Sequence, residues 1–201
     1  MKNLLITLVL IPFFGIAQTL EDLEYISPFN NSVAAIKKGN EWGFIDQDGK
    51  IIVDFRNDLI LTKTDNGTYP IFSNERCLIA HHKDGVLYYG YIDKTGETVI
   101  TPQYLNATIF EFGKVLALKV EKETIGYNDI FKKDVVNYHY FEVVIDEAGK
   151  TADHLTQLAI HVSPKDKNDK NPPAITSKMI SENLVAVKDS NKKWRVKKIE
   201  Q

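Results

Sequence analysis

Trp42-Gly43-Phe44-Ile45-Asp46-Gln47-Asp48-Gly49-Lys50-Ile51-Ile52 returns further along the chain as Tyr89-Gly90-Tyr91-Ile92-Asp93-Lys94-Thr95-Gly96-Glu97-Thr98-Val99-Ile100. Self-similarity at a near-fixed period marks an architecture built from copies of one supersecondary unit. A third, more divergent copy is Glu142-Val143-Val144-Ile145-Asp146-Glu147-Ala148-Gly149-Lys150, and Trp194-Arg195-Val196 opens a fourth. The equivalent positions are 42, 89, 142 and 194, separated by 47, 53 and 52 residues.

Upstream of each copy lies a short apolar run: Val33-Ala34-Ala35-Ile36, Leu78-Ile79-Ala80, Val115-Leu116-Ala117-Leu118 and Leu184-Val185-Ala186-Val187. Four or so consecutive apolar residues, small or β-branched, fit a strand covered on both faces better than a helix. A polar turn follows (Lys37 to Glu41, Lys83 to Gly85, Asp189 to Lys193), and the chain returns along the aromatic strand. On that strand a period of two places Trp42 and Phe44 on one face, with Gly43 and Ile45 on the other. Tyr89 with Tyr91, and Gly90 with Ile92, repeat the arrangement. Glycine inside a strand is entropically unfavourable, so its recurrence points to a ring or backbone lying directly against it. Val143 and Arg195 occupy that place in the last two copies and require different packing there. Asp46 to Gly49, Asp93 to Gly96 and Asp146 to Gly149 read as hairpin turns. The Asp accepts a backbone hydrogen bond from two residues on, and the Gly adopts positive φ. Asp48 gives the first turn a second acid, but the rest of a calcium loop is missing.

These units resemble the WG repeat (KWG-type) family of exported bacterial proteins. The resemblance rests on Glu41-Trp42-Gly43-Phe44-Ile45-Asp46 with Gly49-Lys50-Ile51-Ile52, and on Tyr89-Gly90-Tyr91-Ile92-Asp93 with Gly96 and Val99-Ile100-Thr101-Pro102-Gln103-Tyr104. It implies an all-β repeat fold and no enzymatic activity. The expected fold is all-β, with serial antiparallel hairpins forming an open solenoid or propeller-like sheet. Its units lie near 32–55, 76–104, 112–150 and 182–199, with insertions at 57–75, 121–137 and 151–178.

Met1 to Ala17 reads as a signal peptide: Lys2, an apolar run from Leu4 to Phe14, and small residues at Gly15 and Ala17. The run is short of the roughly 20 residues that span a bilayer. Residues 18–201 then form a single domain beginning at Gln18, exported to the periplasm, the cell surface or the medium, with no stable membrane span after cleavage. A net charge of -2 with interspersed signs gives no footprint for nucleic acid. Cys77 is the single cysteine, so the chain has no internal disulfide, and its apolar setting reads as a buried, inert thiol.

Between the copies, Asp65-Asn66-Gly67 flanked by apolar runs predicts a hairpin. Glu121 to Val136 reads as a long charged hairpin tip leading into a strand over 135–145. Residues 163–173 read as a polar surface loop, and Leu20 to Ile26 as a helical turn shielding the first edge.

No residue set forms a catalytic, cofactor or metal site. His81-His82 point to opposite faces of a strand. His154 and His161 are seven apart, two turns of a helix only if 152–160 is helical, and two ligands alone do not complete a zinc site. There is no G-x-S-x-G, no H-E-x-x-H and no phosphate-cradling glycine loop. Recurring rings (Trp42, Phe44, Tyr89, Tyr91, Tyr104, Tyr138, Tyr140, Trp194) admit two readings: a stacked core between repeats, or an exposed platform for sugars or peptide. The expected function is a non-catalytic binding or structural module at the cell envelope, whose partner is an envelope protein or glycan of unknown identity. The alternative is a periplasmic, hydrolase-like enzyme with a site assembled from distant positions.

Overall fold

The computed structural model describes residues 20–156, 160–161, 173–189 and 191–199. The expected signal peptide and nearly all of the 163–173 loop lie outside the described residues. The first layer is a four-stranded antiparallel sheet of β1 (Tyr25–Ile26), β2 (Ala34–Lys38), β3 (Glu41–Ile45) and β4 (Ile51–Arg56). A small hairpin of β5 (Thr62–Thr64) and β6 (Gly67–Tyr69) follows, turning at Asn66-Gly67 as the sequence predicts. The second layer comprises β7 (Phe72–Ser73), β8 (Arg76–Lys83), β9 (Val86–Ile92) and β10 (Thr98–Ala107). The third contains β11 (Lys114–Asn128), β12 (Lys133–Asp146) and β13 (Thr151–His154), with β14 (Ile160–His161) also pairing β12. β10 pairs with both β9 and β11, so the second and third layers share one antiparallel sheet. The last layer is β15 (Lys178–Ser181), β16 (Leu184–Lys188) and β17 (Trp194–Lys198). Among the described residues there is no helix, and no sheet closes into a barrel.

The turn chemistry is as the sequence implies. Asp46 Oδ1 accepts the N–H groups of Asp48 (3.0 Å) and Lys50 (2.9 Å). Asp93 does the same for Thr95 and Glu97, and Asp146 for Ala148 and Lys150. Gly49, Gly96 and Gly149 sit at φ 78°, 85° and 77°, the left-handed region where a side chain is strained. Asp189 builds the same turn between β16 and β17, one hairpin earlier in its unit, with Lys192 at φ 60° in place of glycine.

The glycines of the aromatic strands are explained by backbone. A Cβ on Gly43 would stand 2.9 Å from the Val53 carbonyl oxygen of β4. On Gly90 it would meet the Ile100 carbonyl oxygen and stand 2.6 Å from Pro102 N of β10. In both layers the outer strand bulges across the glycine, and the ladder register shifts there. Val143 instead faces His154 on the short β13, and the bulge lies one residue on.

The layers stack in one direction. Trp42, Phe44 and Ala35 on the far face of the first layer pack with Cys77, Ile79 and Ile92 of the second. Leu78, Ala80, Tyr89 and Tyr91 on the second layer's far face pack with Val115, Ala117, Val143 and Ile145 of the third. Leu116 and Val144 then pack with Val185, Val187 and Ile199 of the fourth. Each layer thus buries its aromatic or valine face under the isoleucine face of the next, as stacked repeats must when no unit can cover itself. One hydrogen bond recurs across the stack. Arg56, paired with Trp42, donates to the Gly96 carbonyl at 2.9 Å, and Tyr104, paired with Tyr89, donates to the Gly149 carbonyl at 3.0 Å.

One sequence expectation is corrected, and two further segments are defined. Leu20 to Ile26 is not a helical turn: β1 pairs with β2, and Leu20 and Leu23 lie over Ala34, Ile36 and Ile45, covering the outer face of the first layer. Burial of those two leucines outweighs weak local helix propensity. The segment 121–136 is the outer part of a long hairpin, as expected, with β11 and β12 paired as far as Asn128↔Lys133 and only 129–132 left as the turn. Residues 151–154 are strand, so His154 is not on a helix facing His161.

Candidate functional site

A polar cleft of about 730 Å³ opens between the first two layers, lined by Asp54, Arg56, Asp58, His81, His82 and Glu97 among others. Asp58 lies just past β4, where its carbonyl accepts the Ala80 N–H at 2.9 Å, and Leu59 bridges Ile79. This addition to the edge of β8 carries the Asp58 carboxylate to two bases. Arg56 grips it in a fork, Nε to Oδ1 at 2.6 Å and Nη2 to Oδ2 at 2.8 Å, while His81 Nε2 lies 2.6 Å from Oδ2. Burial pushes the Asp58 pKa up, but hydrogen bonds from Arg56 and His81 outweigh it and hold the carboxyl below the usual carboxylate range. The same bond to Asp58 raises Arg56.

An acid that orients a half-exposed imidazole is two-thirds of a hydrolytic triad. The third member is not at hand: the cleft lining contains no serine or cysteine, and the Thr95 hydroxyl donates to Asp93 at 2.6 Å. Cys77, near in space, is fully buried, and desolvation pushes its thiol pKa far up, away from the reactive thiolate. The network is therefore best described as a joint: with Arg56 also on Gly96, it ties three segments from two layers together. Nothing in the spacing of Arg56, Asp58 and His81 announces it; a bulge and an edge pairing assemble it.

His139 lies 3.2 Å from Glu123 on the long hairpin, and His154 packs edge-on against Phe141. Among the described residues no group of three metal-ligating side chains occurs. His81 and His82 are both exposed on β8.

The recurring rings divide sharply. Trp42, Phe44, Tyr89, Tyr91 and Tyr104 are interior, with Phe44 edge-on to Phe72 at 4.7 Å and Tyr91 edge-on to Phe110 at 4.9 Å. Tyr138 and Tyr140 are half-buried beside Leu105 and Leu118. Glu142 replaces the ring in the third layer and is buried too. Its carboxyl accepts the backbone N–H and hydroxyl of both Thr176 and Ser177, which anchors the entry to the last layer.

Trp194 is the exception. It is 48% exposed where Trp42 is 8%, because no further layer covers it among the described residues. Val196 (66%) and Ile180 share that outward face with Leu184 and Ala186. The ammonium groups of Lys178 and Lys188 stand 5.6 and 4.9 Å from the Trp194 ring centroid. This end is strongly basic. Residues 178–199 hold seven Lys or Arg against Glu182 and Asp189, a net +5 in a chain of net -2.

Residues 22–42, 42–66 and 89–117 match the family model described as the WG containing repeat. No curated protein and no solved structure matches the chain. The matched segments carry the strand, glycine and Asp turn whose packing builds the first two layers and opens the third. Three segments of the chain are therefore similar to WG-containing repeats, the family that the sequence resembles.

Proposed function

We propose that the chain is a non-catalytic module, exported to the cell envelope, that acts by holding a partner against its last layer. The observation that carries this reading is the Trp194–Val196 face. It has the composition of a surface made to be covered, yet none of the described residues cover it. The export expectation rests on the first 17 residues of the sequence. The buried rings of the first three layers argue against a platform running the length of the stack, so recognition is concentrated at the end.

The competing reading, a hydrolase-like enzyme, draws on the His81–Asp58 pair in the inter-layer cleft. It needs a nucleophile or an activated water on the free side of His81.

Cell fractionation tests the leading reading. The protein should start at Gln18 and sediment with envelope material, and a Trp194→Ser, Val196→Gln double variant should be released while melting like wild type. Recovery in the cytoplasm, or retention unchanged in the double variant, refutes it. Turnover of ester or glycoside substrates abolished by His81→Ala would establish the enzyme reading instead.

A further inference from the structure

In the first three layers the aromatic strand is never an edge. β4 pairs the outer side of β3, β10 that of β9, and β13 that of β12, each antiparallel and each entered through the Asp turn. The equivalent strand of the last layer, β17, is paired by β16 alone and ends the sheet order. Among the described residues its outer N–H and C=O groups form an open ladder. A groove of about 210 Å³ runs beside that edge, bounded by His154 and Leu155 on one side and by Arg195, Val196 and Lys197 on the other. Lys197 spans its floor, donating to Asp153 Oδ1 and to the His154 carbonyl, each at 2.7 Å. An exposed strand edge beside an apolar face is the geometry of recognition by strand addition, in which backbone bonds supply affinity and alternate side chains supply specificity.

Resting on the binding function proposed above, we infer that the partner is an extended acidic polypeptide segment that adds to β17 as the missing fourth strand. Alternate apolar side chains of this segment lie over Trp194 and Val196. Charge selects the acidic partner: the layer carries +5, and the acidic side chains that alternate with the apolar ones lie on the opposite face of the added strand, the side of Arg195 and Lys197. Opposite charge raises the encounter rate and rejects basic competitors. A second copy of the chain is disfavoured in both orientations. Tail to tail, two +5 layers repel. Head to tail, the complementary surface would be the outer face of the first layer, which Leu20 and Leu23 already cover.

The test uses a fluorescein-labelled octapeptide of alternating Glu and Val, titrated by fluorescence polarisation with the protein purified from cells expressing the full sequence. Saturable binding is expected, at least tenfold weaker at 0.5 M than at 0.05 M salt because exposed charges are screened. Binding should also be at least tenfold weaker for Trp194→Ser, Val196→Gln. It should be lost when Lys replaces Glu in the peptide, or when Pro, which lacks the ladder N–H, replaces Val. An Ile130→Ser, Phe131→Ser control on the distant hairpin tip should bind as wild type. Binding that ignores the Pro or the Trp194/Val196 changes overturns the inference, as does a failure to saturate. So does concentration-dependent self-association in sedimentation that the peptide does not compete, which would identify a second copy as the occupant. Phosphatidylglycerol vesicles bound through the same residues without peptide competition would point instead to a lipid surface and also overturn it. Failure of the peptide alongside envelope release of the double variant removes only the acidic-strand partner; retention of that variant removes binding through this face altogether.

Discussion

Trp42 and Trp194 hold the same place in the repeat, and truncating them should have opposite consequences. Trp42 is 8% exposed, edge-on to Tyr25 at 5.7 Å and packed among Phe44, Val53 and Tyr69. A buried Trp removes roughly 200 Å² from water, about 5 kcal/mol at about 25 cal/mol per Å². Alanine retains a small part of that, and a residual cavity adds back some of the difference, so Trp42→Ala should cost about 3–5 kcal/mol. For a domain of this size each kcal/mol moves Tm by about 2–4 °C, which puts the drop at roughly 6–20 °C. Trp194 forfeits mainly its contacts with two lysine ammonium groups, worth about 0.5–1 kcal/mol at an exposed site. Its alanine variant should melt within about 4 °C of wild type. Calorimetry and urea titration of the two variants beside wild type measure both. Equal losses would refute the claim that layer order, and not the repeat motif, sets burial; an unchanged melt for Trp42→Ala would refute the stacked core itself.

Gly90→Ala should destabilise by about 3 kcal/mol and Gly43→Ala by about 1–2 kcal/mol, since the added carbon lies closer to the crossing backbone at Gly90; chemical denaturation ranks them, and the reverse order would count against the bulge explanation. Glu142→Val should cost about 3 kcal/mol by leaving the donors of Thr176 and Ser177 without their acceptor. Limited proteolysis should then cleave near 173–177 before the rest of the chain, and an unchanged digest would refute the anchor. The depressed Asp58 pKa gives a defined acid limb. The Asp58 contribution is complete above the unfolded value of about 3.9 and is lost as pH falls through the lower folded value. In Asp58→Asn the Tm-versus-pH curve should be flatter below pH 4 and lie lower at pH 7 by the equivalent of about 1–3 kcal/mol.

What could be read from the one-dimensional chain is what depends on neighbours a few residues away. An Asp followed three residues later by Gly specifies its own turn, because the carboxylate and the N–H groups it accepts lie within five residues. Alternation along Glu41–Ile45 and Val86–Ile92 specifies which side chains share a face, because the strand period is a property of backbone geometry. Even the reason for Gly43 and Gly90 was partly legible, as a demand for close approach, though not that the approaching group is a bulged outer strand. Which face is covered, and by what, is a different kind of fact. Trp42 and Trp194 have similar local settings, and only the presence or lack of a following layer makes one core and the other surface. Glu142 breaks the repeat pattern, yet it is buried as deeply as the tryptophan it replaces, because Thr176 and Ser177 arrive from 34 and 35 residues away to satisfy it. The Arg56–Asp58–His81 joint likewise exists only once Leu59 has paired with Ile79. Stacking energy and long-range hydrogen bonds belong to pairs of layers, and no single repeat contains the information about its neighbour.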